Sequence, residues 1–360
     1  MKRKKSVTTA GSGGRRSRSL EARLKERIGR EGPLSYEAFA EAVLYDERQG
    51  YYRKGKQEGR DYSTSPEIHS LFGRTIGRYI EKVCDLMGVS SATVLELGGA
   101  SGRLASHIVS AFRRLHLESY LILEKGREKR EGRVRWIKDL ESLPAIDGFT
   151  FVVANEFFDA LPFRKVINRQ GTLEEIYVGW EDGFFERSGP PTAALSAFLE
   201  RYPLFLHEGQ VSEVTTAARP LVRAVSRIAK EGCLLVFDYG YHQADIAAGR
   251  FFEGSALGYK RRRIRSDFFK GLGAMDITHH VNFDHLRGLL EDEGWRSEGE
   301  IEQYRFLCNA GLLEGLAGLE PGERMRAKWL INPEGLGAMV SVLGFSKGLS
   351  LPMPGLGRPS

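Results

Sequence analysis

No stretch of this 360-residue chain reaches 18 consecutive apolar residues, so no transmembrane helix is expected. Cysteine is scarce: Cys84, Cys233 and Cys308 lie far apart and form no CxxC pair. Their spacing argues against a disulfide framework or a zinc site and for a reducing compartment. The first 20 residues contain no acid and seven Lys or Arg. Of the 53 basic residues, 46 lie beyond residue 20, against all 47 acidic ones, so the net charge of +6 belongs to the N-terminal stretch. A body this close to neutral gives no electrostatic reason to expect nucleic acid as a partner. The Ser/Gly-rich basic stretch, residues 1–30, reads as a disordered tail. Transit peptides to the mitochondrial matrix are also basic and acid-poor, but this one lacks the apolar residues for an amphipathic face. A cytoplasmic protein with a solvated tail is the expectation.

What the chain does have is Val94-Leu95-Glu96-Leu97-Gly98-Gly99-Ala100-Ser101-Gly102, followed by Leu104-Ala105-Ser106-His107-Ile108-Val109 at helical spacing. Strand, glycine-rich turn and helix in that order build a nucleotide-type cofactor site at the C-terminal edge of a parallel sheet. The acid two positions before Gly98 can accept bonds from the amino acid part of S-adenosylmethionine (SAM), whereas a pyrophosphate would be repelled. A dinucleotide reading fails for want of a complete G-x-G-x-x-G, which sets an NAD-dependent dehydrogenase aside.

Apolar runs at Thr93–Leu97, Tyr120–Glu124, Val134–Ile137, Phe149–Ala154 and Cys233–Asp238 alternate with helical patterns, which predicts an α/β fold with a mostly parallel sheet. A late strand over Ala338–Phe345 would insert into it, giving the seven-stranded arrangement of Rossmann-like class I SAM methyltransferases. Before the sheet, residues 31–90 read as a helical segment covering the cofactor site, with Ser35 capping a helix and a second helix over His69–Met87. The core would then span 91–348, with insertions at about 163–190 and 241–280 and a C-terminal tail at 349–360. The first insertion predicts a β-hairpin turning at Gly171. The second carries the basic run Lys260-Arg261-Arg262-Arg263 with Arg265, a solvated loop or a docking patch for an acidic protein partner.

Acids at the strand ends face one rim. Glu124, 22 residues past Gly102, is placed for ribose hydroxyls, and Asp139 for adenine. Asn155, Glu156 and Asp159 follow the fourth strand, where carboxylates suit the planar fork of a guanidinium and could hold its nitrogen in line with a sulfonium methyl. The competing expectation is that Glu156 and Asp159 only cap the next helix.

Gly59–Ile68, Ala154–Pro162, Asp238–Tyr241, Asp276–Phe283 and Ser346-Lys347-Gly348 together resemble the MidA family of SAM-dependent methyltransferases, in collinear order over about residues 32–348. The resemblance implies a class I methyltransferase fold with extra segments over the site. For the mitochondrial member, a complex I assembly factor, it implies arginine methylation of a subunit of that NADH:quinone oxidoreductase. It supports Glu96, Gly98, Gly102 and Glu124 as SAM contacts, beside Gly99 of the same loop, and adds Thr64, Ser65, Pro66 and Glu67 to the pocket. The family loop usually reads G-P-G-x-G, and here Ala100 replaces its second glycine. The expected function is a protein arginine methyltransferase, with a non-catalytic assembly chaperone on the same fold as the alternative.

Overall fold

The computed structural model describes residues 18–53, 64–125, 129–261 and 263–357. The basic residues 1–17, the segment 59–63 and Arg262 therefore lie outside the described residues.

Eight strands form the central sheet: β1 (Ser91–Leu97), β2 (His116–Leu123), β3 (Lys129–Glu131), β4 (Val134–Ile137), β5 (Ile146–Asn155), β6 (Ala229–Asp238), β7 (Arg296–Glu302) and β8 (Ser341–Lys347). Their order is β7-β8-β6-β5-β1-β2-β4-β3. The pairs β1–β2, β1–β5, β2–β4 and β5–β6 are parallel. Strand β8 runs antiparallel between β6 and β7. The sheet is thus mixed and has eight strands, not the seven expected. The extra one, β3, folds back on β4 through Gly132-Arg133, with Gly132 at φ 59°. All three of its residues are charged and exposed, so no apolar pattern announces it.

Side chains alternate across the pleat. Val94, Ile122, Phe151, Val153, Leu235 and Phe237 point into one core. Leu95, Leu97, Leu121, Val152, Ala154, Leu234 and Val236 point into the other. Burial on both faces is why these strands read as continuous apolar runs.

A second, five-stranded antiparallel sheet is larger than the predicted hairpin. Arg164–Arg169 pairs with Thr172–Trp180 across Gln170-Gly171, both at positive φ (54° and 77°), as a two-residue hairpin turn requires. Leu34–Ser35, Phe184–Gly189 and Val211–Val214 complete it. Its apolar face meets helix α1 (Leu20–Glu31) and helix α2 (Tyr36–Tyr45), which share a third core with Phe163, Val178 and Phe268. Helix α1 corrects the expectation of a disordered tail to residue 30: Ser19 caps it, and Leu20, Leu24 and Ile28 make one buried stripe. Ser35 caps α2 as expected, its Oγ accepting from Ala38 N. The segment after 348 is likewise no free tail through 357, since Met353 is buried and its N–H donates to Glu298.

Helix α3 (Leu71–Leu86) packs under the site. Its buried Glu81 accepts from Arg113 N (2.8 Å), Arg114 N (2.5 Å) and Leu115 N (2.9 Å), fixing the entry to β2. Burial alone would raise this carboxyl, but the three N–H groups hold it below its usual range. Glu81→Ala should cost about 3 kcal/mol in urea unfolding, since three backbone donors lose their acceptor. In the parent chain this contribution is present above the unfolded carboxyl value near 4.5 and disappears as pH falls below it.

Candidate active site

Strands β1, β2, β5 and β6 all end at one rim, in Leu97, Leu123, Asn155 and Asp238. The turn after β1 departs from ordinary backbone three times, at Gly98 (φ 73°), Ala100 (φ 45°) and Gly102 (φ 82°). Each glycine makes room for a neighbour. A Cβ on Gly98 would stand 2.5 Å from the Phe157 ring, on Gly99 2.6 Å from the Glu96 carboxylate, and on Gly102 2.5 Å from Trp136. The loop is tied down on both sides of Ala100. Its N–H donates to Glu124 Oε2 (2.8 Å), and its carbonyl accepts from Trp136 Nε1 (3.0 Å). Glu96 is 2 % exposed, and its Oε2 accepts from Tyr120 OH (2.8 Å).

The turn after β5 is organised by Asp238. Its carboxylate accepts from Phe158 N (2.9 Å), Phe157 N (3.3 Å) and Tyr239 N (2.9 Å). Glu156 is thereby held at φ 48°, a left-handed conformation that costs a non-glycine residue on the order of 1–3 kcal/mol. Burial pushes its carboxyl up to about 8, against the pull of the N–H of Ser65, which donates to Oε1 at 3.4 Å. Asp159 is also pushed well up, by burial first and then by the charge of Asp238. Asp238 rises too through burial, but its backbone donors restrain it, so of this pair Asp159 holds the proton.

Two cavities meet here. The smaller, about 90 Å³, is lined by Thr64, Pro66, Glu67, Glu96, Gly99, Ala100 and Asn155. The larger, about 710 Å³, has Glu124, Asp139, Leu140, Tyr45 and Arg164 on its walls. Gly98, Glu156 and Tyr52 border both. Ten of the thirteen residues expected at the site therefore line these spaces, and Ser65, Gly102 and Asp159 do not. Ser65 is fully buried and its Oγ donates to Gln303 (3.1 Å), which makes it a support for Glu156. Gly102 sits against Trp136, and Asp159 lies behind the wall, its carbonyl accepting from His279 N (3.0 Å). Asp139 is exposed and accepts from Ser142 N (2.9 Å), so it also closes its own turn.

The sequence reading missed Tyr52, whose OH donates to Asp276 Oδ1 at 2.8 Å. Its one local signal was the Tyr51-Tyr52 pair closing the α2 segment. Asp238 stands in the sequence as a strand-terminal acid and in a segment of the family resemblance, but its part in shaping the β5 turn was not legible there. The donor set fits a cofactor with an amino acid end: carboxylates at Glu67 and Glu96, loop backbone bared by Gly98 and Gly99, and a buried Asn155 Oδ1 that has no partner among the described residues.

A family described as S-adenosyl-L-methionine-dependent methyltransferases matches residues 75–301. The chain belongs to this family, MidA. It is a SAM-dependent methyltransferase, with SAM as its cofactor. Among its relatives, the mitochondrial protein arginine methyltransferase NDUFAF7 of Danio rerio is 27 % identical over 89 % of this chain and 85 % of the relative. The Homo sapiens protein of that name is 27 % identical over 87 % and 80 %. A crystal structure from Burkholderia thailandensis, bound to S-adenosylhomocysteine, superposes with a TM-score of 0.81 at 27 % identity, covering 93 % of each chain.

For a MidA protein the departure at Ala100 has a physical cost. The usual glycine would adopt φ 45° freely, whereas alanine strains there by about 1 kcal/mol. Ala100→Gly should raise the thermal midpoint by about 1 °C and leave SAM affinity equal or higher, measured by scanning and titration calorimetry. A lower midpoint would mean that the methyl group packs favourably where it stands.

Proposed function

We propose that this chain methylates the side chain of a protein arginine, with Glu156 holding the guanidinium where the two cavities meet. The observation that carries the reading is that Glu156 borders both spaces, beside the glycine loop and at the end of β5. Glu96, Gly98 and Gly99, with Thr64, Pro66 and Glu67, would face the amino acid end of SAM. Glu124 would turn to the ribose and Asp139 to the adenine. Bound SAM supplies an electrophilic methyl on a sulfonium.

The protein residues do the rest. A carboxylate at Glu156 accepts two parallel N–H bonds from a planar guanidinium and orients one nitrogen toward the glycine loop. Ser65 and Gln303 fix Glu156 from below, and Asp238 fixes the turn that carries it. Asp159 and Asn155 complete the polar floor, Asp159 as a positioning residue and not as a contact. The relatives' shared name supports arginine as the acceptor. The family resemblance supports a subunit of a respiratory NADH:quinone oxidoreductase as the protein. Buried thiols at Cys84 and Cys233 support a reducing compartment. Among the described residues no helix is long and apolar enough to cross a membrane.

Glu156→Gln should leave SAM affinity within about twofold while reducing methyl transfer to an arginine peptide by at least about a hundredfold, read with radiolabelled SAM. Full transfer by the folded variant would return Glu156 to a capping role. Glu96→Ala should instead weaken SAM binding by more than about tenfold in titration calorimetry.

The pH dependence follows from the raised carboxyl. Only ionised Glu156 attracts a guanidinium, so kcat/KM should rise with pH along a one-proton limb at or below about 8, a bound sulfonium pulling it lower. The same shift has a stability sign. Folding favours the protonated form, so this residue's burial costs increasingly more as pH rises from 4.5 through 8.

A further inference from the structure

Between β6 and β7 the chain builds a small antiparallel sheet in the order Arg263–Arg265, Leu257–Lys260, Asp276–Thr278. A cavity of about 740 Å³ on this unit is lined by Lys260, Arg261, Arg263, Arg265 and Lys270. Its one lining carboxylate, Asp267, is already 2.8 Å from Lys270 Nζ. Five cations facing one space repel one another, in a body whose charges otherwise balance. The unit is anchored, not loose: Phe268 meets Tyr36 edge-on at 6.3 Å and Phe269 meets Phe39 at 5.5 Å. Those contacts also turn both rings toward α2, away from any base that would stack on them, which disfavours nucleic acid. The far edge of the same sheet reaches the catalytic seam, through Tyr52 OH on Asp276 and His279 N on the Asp159 carbonyl.

We propose that this basic hairpin is an exosite for an acidic segment of the protein being methylated, a few residues from the target arginine. The two edges of the sheet are two strand spacings apart, about 10 Å, which about three residues of extended peptide cover. The cleft at Glu156 then selects a cation and the hairpin selects anions. The proposal rests on the arginine reading above for the identity of the substrate.

The test uses the full chain and two fluorescein-labelled peptides, Glu-Glu-Glu-Gly-Gly-Arg-Gly and the same peptide with Gln for Glu. Binding is read by anisotropy at low salt and methylation with radiolabelled SAM. The parent chain should prefer the Glu peptide by at least about tenfold in Kd. The variant Lys260→Glu/Arg263→Glu/Arg265→Glu should lose that preference with SAM affinity unchanged. Equal affinity of the parent chain for both peptides, or a preference that survives charge reversal, overturns the exosite. Tighter binding of a single-stranded oligouridylate of equal charge overturns it as well. An arginine-free Glu peptide separates the two readings: if it binds through the hairpin while neither arginine peptide is methylated, the exosite stands and the arginine assignment falls.

Discussion

Asp238 is the constraint from which the site is built. A carboxylate at the end of β6 reaches across to β5's turn and takes the N–H groups of Phe157 and Phe158, while Tyr239 N closes on its other oxygen. Without an ionic acceptor there, those donors would be unpaired at a buried edge, at a cost of about 1–3 kcal/mol each. With it, Glu156 can occupy a left-handed conformation that its own side chain disfavours. Phe157 is then set against Gly98, so the β5 turn and the glycine loop fit one another. One charge at a strand end thus shapes both the β5 turn and its fit to the glycine loop.

The price of that arrangement is a crowd of buried acids. Asp238 raises the carboxyls of both Glu156 and Asp159, and Glu156 raises that of Asp159 further, each on top of burial. Such a group of carboxylates in low dielectric is poor for stability and well suited to a cationic ligand, whose arrival offsets the repulsion. The strain at Glu156 and the raised carboxyls occur together at the place where the two cavities meet, which is where the proposed reading puts the methyl acceptor.

Much of this was legible in the sequence, and the gaps have physical causes. The inner strands β1, β2, β5 and β6 stand out because burial on both faces removes most polar residues from them, as in Phe151-Val152-Val153-Ala154. The glycine loop and its acid were legible because their chemistry is local. Strand β3 and the short Leu34–Ser35 and Val211–Val214 strands were not, since two to four residues carry no period. Helix α1 hides in LEARLKERIGRE, where charge outnumbers its single stripe of Leu20, Leu24 and Ile28. Within the site, Tyr52 and Asp276 are separated by 224 positions, and Ser65 and Gln303 by 238, so no window on the sequence joins them. The separate roles proposed for Glu156 and Asp159 rest on Glu156 alone lining the cavities, a matter of backbone angle and not of residue type.

The placement of β8 affects how the chain comes to be assembled. Residues 341–347 lie between strands that end at 238 and 302, and among the described residues β7 pairs with β8 alone. While the chain emerges from the ribosome, β7 has no edge to join, and the free side of β6 stays open until more than a hundred further residues have been made. The sheet therefore closes from its latest-synthesised strand inward. During that interval an unpaired apolar edge is exposed, the kind of surface that holding chaperones bind.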